Sequence, residues 1–228
     1  WATFFGGTSS DGPESVTTDN AGNVFVTGYT NYATNFPVFN AGTYFQGIMV
    51  TNDSECFIMK FDNGGTLLWS TFYGGIGGEI GYSAVTDING NLFVTGQTAA
   101  ANFPVQNAGT FFQGTYGGGG SDAFILKFDN SGIRLWATYY GGSNYDEAYS
   151  ISKDGSGNIF VTGVTLSANF PVQTAGGFFQ GTLGGGNDVF ILKFDNTGNR
   201  LWATYYGGSG NEDGYAVAAD GNGNVFVT

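Results

Sequence analysis

Hydrophobic and polar positions along this chain alternate in short runs and never adopt the 3.6-residue rhythm of an amphipathic helix. Between Tyr149 and Tyr206 the apolar residues gather in four segments, Y-S-I-S-K-D, N-I-F-V-T-G-V-T, V-F-I-L-K-F-D and R-L-W-A-T-Y-Y. Each is rich in β-branched and aromatic side chains and is bounded by Gly, Asn or Asp, which predicts four strands and no helix. Between the first and second runs stands D-x-x-G-N, at Asp19–Asn23, Asp87–Asn91, Asp154–Asn158 and Asp220–Asn224. Between the third and fourth stands D-N-x-G, at Asp62–Gly65, Asp129–Gly132 and Asp195–Gly198. Asp and Asn side chains bond the backbone two residues on and Gly supplies positive φ, so both motifs predict tight hairpins and an antiparallel meander.

The meander recurs. LWATYYGG at Leu135–Gly142 returns at Leu201–Gly208, with LWSTFYGG at Leu68–Gly75 and WATFFGG at Trp1–Gly7. Trp1, Trp69, Trp136 and Trp202 are 68, 67 and 66 residues apart, and Asn23, Asn91, Asn158 and Asn224 repeat the same steps. So steady a period means one supersecondary unit stacked on itself. A four-stranded meander repeated about an axis is a β-propeller blade, whose sheet faces are covered by neighbouring blades, and this accounts for bulky residues on both faces of F-I-L-K-F. A β-solenoid would use shorter coils. The expectation is an all-β propeller of four-stranded antiparallel blades, ~67 residues per repeat, present as an open or partial propeller. The expected divisions are an outer strand at 1–7, blades at 8–75, 76–142 and 143–208, and two strands of a further blade at 209–228. Entry and exit partway through a repeat lead to the expectation of a piece of a longer protein.

Ala216–Thr228, Asp122–Gly132 and Trp136–Ser143 together resemble the bacterial β-propeller repeat family called SBBP. The D-G-N-G-N-V-F-V portion is also similar to NHL repeats, and Phe194–Trp202 resembles the tryptophan motif of quinoprotein propellers. The resemblance implies a secreted or cell-surface bacterial propeller, often within large modular proteins, with no shared catalytic activity.

Composition narrows the function. The 228 residues carry a net charge of −12 and no histidine. A nucleic-acid partner requires a cationic footprint, so none is expected. Cys56 is the only cysteine, which excludes an internal disulfide; Ala123 and Val189 at the same place in the sister repeats make it a small buried hydrophobe. No stretch approaches the ~20 apolar residues of a transmembrane helix, and no membrane insertion is expected.

In such a blade both tight turns share one face, and every long connection shares the other. The long connection is N-F-P-V-x-x-A-G-x-[FY]-F-Q-G, at Asn35–Gly47, Asn102–Gly114 and Asn169–Gly181. A loop of this length is expected to pack on itself or add a short extra strand. Its rings at Phe36, Tyr44, Phe103, Phe111, Phe170 and Phe178 either anchor it to the blade or form a stacking platform; recurrence at the same offsets favours anchoring. Acids gather on this face at Asp11, Glu79, Asp146 and Glu212, with Glu55, Asp122 and Asp188 opening the third strand. Calcium takes 6–8 oxygen ligands, so these acids are calcium candidates, yet one or two per blade are thin for a site and no cofactor is expected. Lys60, Lys127 and Lys193 read as solvated strand residues near a turn aspartate. Near-identical blades give no asymmetric active site, so no catalytic residue is nominated. The expected role is non-enzymatic: adhesion, scaffolding or self-assembly outside the cell or on its surface, with tyrosine-rich outer strands offering an edge to other protein chains. The alternative is a module that binds surface glycans or degrades polysaccharide through the long-loop face.

Overall fold

The computed structural model describes residues 1–31, 35–40, 42, 44–50 and 53–228. Three four-stranded antiparallel meanders follow one another: β1 (Asp11–Thr18) to β2 (Val24–Asn31), β3 (Ser54–Phe61) and β4 (Leu67–Tyr73); then β5 (Glu79–Thr86), β6 (Leu92–Thr98), β7 (Asp122–Phe128) and β8 (Arg134–Tyr140); then β9 (Asp146–Lys153), β10 (Ile159–Thr165), β11 (Asp188–Phe194) and β12 (Arg200–Tyr206). A hairpin of β13 (Val217–Ala219) and β14 (Val225–Val227) begins the next unit. Inner strands β1, β5, β9 and β13 lie against one another in sequence, as the first strands of successive propeller blades do.

The hairpins form as their residues dictate. Asp19 Oδ1 accepts from the backbone N–H groups of Ala21 and Asn23, Oδ2 accepts from Asn23 Nδ2, and Gly22 sits at φ 79°. Asp87, Asp154 and Asp220 repeat this arrangement.

Residues 1–7, expected as an outer strand, form no strand. They pack through side chains instead: Trp1 lies against Phe61 at 5.8 Å, Phe5 meets Phe36 and Phe61 edge-on, and Trp1 Nε1 donates to the Asn63 carbonyl. This reproduces a contact made at each blade junction. Trp69 stacks on Phe128 of the next blade at 5.9 Å, and Trp136 on Phe194 at 6.3 Å.

Two of the three lysines overturn their expected reading, while Lys193 pairs with the turn residue Asp154 at 3.6 Å. Lys60 and Lys127 are buried. Lys60 Nζ bonds the Asn130 carbonyl and side chain of the next blade, and Lys127 Nζ does the same at Asn196, 2.9 Å from each oxygen. Their ammonium groups lie over Phe25 and Phe93, and Lys127 pairs with Asp87 at 3.5 Å. They bolt blades together because the closest donors and acceptors come from the next repeat, which local sequence does not show.

Candidate functional site

The long-connection face is built from the G-G pair outward. The first glycine of the pairs at Gly74, Gly141 and Gly207 is wedged between two carboxylates, one from the third strand of its own blade and one from the start of the next unit. A Cβ on Gly141 would lie 2.8 Å from Asp122 Oδ1 and Asp146 Oδ2; on Gly74 it would meet Glu79 and Glu55, and on Gly207 Asp188 and Glu212. The sequence-nominated acids are thus brought together as Glu55–Glu79, Asp122–Asp146 and Asp188–Glu212 across successive junctions. Asp11 stands apart, accepting from the Gly7 N–H at 2.8 Å and from Thr30 Oγ1 at 2.5 Å.

Their oxygens chiefly organise loops. Asp122 Oδ2 accepts from Gln113 Nε2 at 3.0 Å and the Gly117 N–H at 2.7 Å; Glu55 does likewise with Gln46 and Val50, and Asp188 with Gln180 and Gly184. Asp146 Oδ2 accepts from the Gly142 N–H and Ser167 Oγ, while Oδ1 accepts from Thr165; Glu79 accepts from Thr98 and Glu212 from the Gly208 N–H. One oxygen each of Glu79, Asp122 and Asp188 is buried without a hydrogen-bond partner. Burial pushes Glu55 up to about 7 and Glu79 to about 8, the latter also feeling Glu55. Burial likewise raises Asp122 to about 7, with Asp146 adding repulsion, and Asp146 to about 6. Among the described residues no three or more acids converge. Two crowded carboxyls with N–H donors turned toward them suit a retained proton better than a divalent cation.

The insert aromatics divide. Phe36, Phe103 and Phe170 are buried, each against its own blade: Phe103 lies 4.9 Å from Phe124, and Phe170 4.8 Å from Phe190. Tyr44 and Phe111 sit at junctions, packed on Tyr73 and Tyr140 at 4.7 Å and covered by Arg134 and Arg200 of the next blade. Phe178 is 66% exposed. The insert also lies along the outer strand, pairing Phe39 with Ser70, Gln106 with Ala137 and Gln173 with Ala203, then Gln46, Gln113 and Gln180 further along. This corrects the expectation of a free outer edge: the insert already occupies it.

The double aromatic before G-G has two separate tasks. Tyr139 and Tyr205 donate to Ala100 and Ser167 carbonyls within their own blade, whereas Tyr73 and Tyr140 donate to Pro104 and Pro171 of the next.

One further set of residues escaped the sequence reading. Inner strands β1, β5 and β9 each carry a β-bulge, placing Glu14, Tyr82 and Tyr149 out of the ladder opposite Gly28, Gly96 and Gly163. Tyr82 lies 5.5 Å from Tyr149, which stacks at 13° on Tyr215, 5.7 Å away. Their signal was available: Glu14, Tyr82, Tyr149 and Tyr215 each follow the repeat tryptophan at the same offset.

Comparison with known proteins agrees with this architecture. The SBBP beta-propeller repeat model matches residues 1–37, 135–171 and 201–228, each stretch starting at an outer-strand segment and running toward or into the next blade's second strand or insert. An uncharacterized WD repeat-containing protein of Acanthamoeba polyphaga mimivirus is 25% identical over 251 aligned positions, covering 96% of this chain. The chain spans 18% of that relative's length.

Proposed function

We propose that this array of SBBP beta-propeller repeats is a non-enzymatic scaffold that assembles by seating the outer hairpin of one blade in the groove of another. The observation that carries the reading is a groove between insert and outer strand, filled at two junctions and open at the third. In the first blade, the groove of Phe39, Gly42, Tyr44, Phe45 and Trp69 is plugged by Gly132 of the β7–β8 turn, leaving 10 Å³. In the second, Gly109 touches Gly198 of the β11–β12 turn. In the third, Gln173, Ala175, Phe178, Phe179 and Trp202 frame an open volume of 320 Å³. Tyr206 is 56% exposed there, whereas Tyr73 and Tyr140 are fully buried. The occupant with the right shape is therefore an Asp-Asn-x-Gly hairpin of this same repeat, from a following unit or from another copy.

The resemblance to secreted bacterial propellers supports an extracellular or cell-surface setting and a role in adhesion or surface assembly. Light scattering on the purified chain is expected to show association rising with concentration, and Ala175→Trp, which fills the groove, is expected to abolish it. A chain that stays monomeric and binds no peptide spanning residues 122–140 would overturn the proposal. A second reading rests on the same exposed rings: Phe178, Phe179 and Trp202 offer faces on which a sugar could stack. A glycan array with product detection separates the readings, since glycan binding at this groove, with or without turnover, favours the second.

A further inference from the structure

We propose that the bulged residues of β1, β5 and β9, together with Tyr215, form a docking stripe for an extended peptide bearing lysine or arginine side chains. The stripe is acidic and aromatic at once. Glu14 is exposed and its charge reaches Tyr82. Tyr82, Tyr149 and Tyr215 follow as a continuous ring ladder across three blades. Glu147 is held beneath it by the Tyr145 hydroxyl and bears on Tyr82 and Tyr149, and Asp213 accepts from the Tyr215 hydroxyl at 3.2 Å.

The bulges aim these side chains. A Cβ on Gly28, Gly96 or Gly163 would lie 1.8–2.0 Å from the carbonyl of Gly12, Ile80 or Glu147, so only glycine lets the bulged backbone approach. Ser15, Ser83 and Ser150, immediately after each bulged residue, accept the N–H groups of Ala84, Ile151 and Val217, which ties neighbouring inner strands together and fixes the spacing of the ladder.

The charge points to a cation. Of the six lysines and arginines in the chain, Lys60, Lys127, Lys193, Arg134 and Arg200 are engaged at blade junctions or turns, and Lys153 closes β9 at the turn end. Among the described residues none of these side chains forms an ion pair with Glu14, Glu147 or Asp213. Tyrosine faces attract ammonium and guanidinium groups through the ring quadrupole, and nearby carboxylates add to the field. The rings stand 5.5 and 5.7 Å apart across successive blades, and side chains on one face of an extended peptide recur about every 7 Å, so an extended segment reaches several rings where a single small amine reaches one.

The proposal is independent of the assembly reading and is tested on dilute chain carrying Ala175→Trp. The probe is a fluorescein-labelled hexapeptide of alternating lysine and glycine, followed by anisotropy at low salt. Saturable binding is expected, weakened about tenfold by Tyr149→Ala and about threefold by Glu14→Gln, with Asp62→Asn on the opposite face leaving it unchanged. Tyr149→Phe, which keeps the ring, is expected to retain binding and guards against misfolding of the alanine variant. Absence of binding would overturn the proposal. So would equal losses from Glu14→Gln and Asp62→Asn, which would mean diffuse charge attraction, or displacement of the probe by a neutral oligosaccharide, which would mean a sugar site.

Discussion

Carboxyl groups crowded at the blade junctions set how stability responds to pH. Glu55, Glu79, Asp122 and Asp146 have folded-state pKa values raised above the ordinary carboxylate range by burial. A raised value means that the fold holds its proton more tightly than the unfolded chain, so stability is gained on acidification and lost as pH rises through about 6 to 8. Calorimetry is expected to show a melting temperature about 5 °C higher at pH 5.5 than at pH 8.5, with Glu79→Gln flattening the profile; a melting point that rises toward pH 8.5 would contradict this assignment. Lys127 acts at the same scale. Replacing it with Met removes its bonds to Asn196 and its pairing with Asp87. Urea denaturation is expected to register a loss of about 2 kcal/mol, where a solvated lysine would cost almost nothing.

Among the elements, the second strand of each blade depends on its glycine and the insert on its first phenylalanine. Gly96→Ala would drive a methyl group into the Ile80 carbonyl, since the two stand 1.9 Å apart when a Cβ is placed there. Flattening the bulge to relieve that clash would withdraw Tyr82 from the ladder, so loss of stability and of peptide binding are expected together. Phe170 packs on Phe190, Tyr205 and Tyr140, anchoring the insert start. Phe170→Ala is expected to cost about 3–4 kcal/mol in chemical denaturation and to speed proteolysis within 169–187 before the rest of the blade is cut. Strands, hairpins and the insert's role as an anchor were legible, because each depends on residues within one repeat. The lysine bolts were not, because Lys60 and Asn130 are 70 positions apart and nothing local distinguishes a strand lysine facing water from one facing the next sheet.

Across the whole molecule, stability is that of a stack whose units touch only their neighbours. Trp136 stacks on Phe194, lies against Phe93 edge-on and rests near Gly198, so it belongs to two blades at once. Trp136→Ala is expected to split unfolding into two transitions, with hydrogen exchange in β11 and β12 rising before that in β3 and β4. A single cooperative loss of both would show that coupling reaches beyond adjacent blades.

The sequence by itself determined the all-β blade, its period, its hairpins and the family it resembles, because strand propensity, turn chemistry and repetition are properties of contiguous residues. It also marked the acids and rings of the long-connection face. Tertiary structure alone decided that those acids meet in pairs around a glycine, that the insert covers the outer edge, and that a bulge turns Tyr82 and Tyr149 out of the ladder. Each of these depends on which residue of one repeat faces which residue of the next, and near-identical repeats do not record that choice in their sequence.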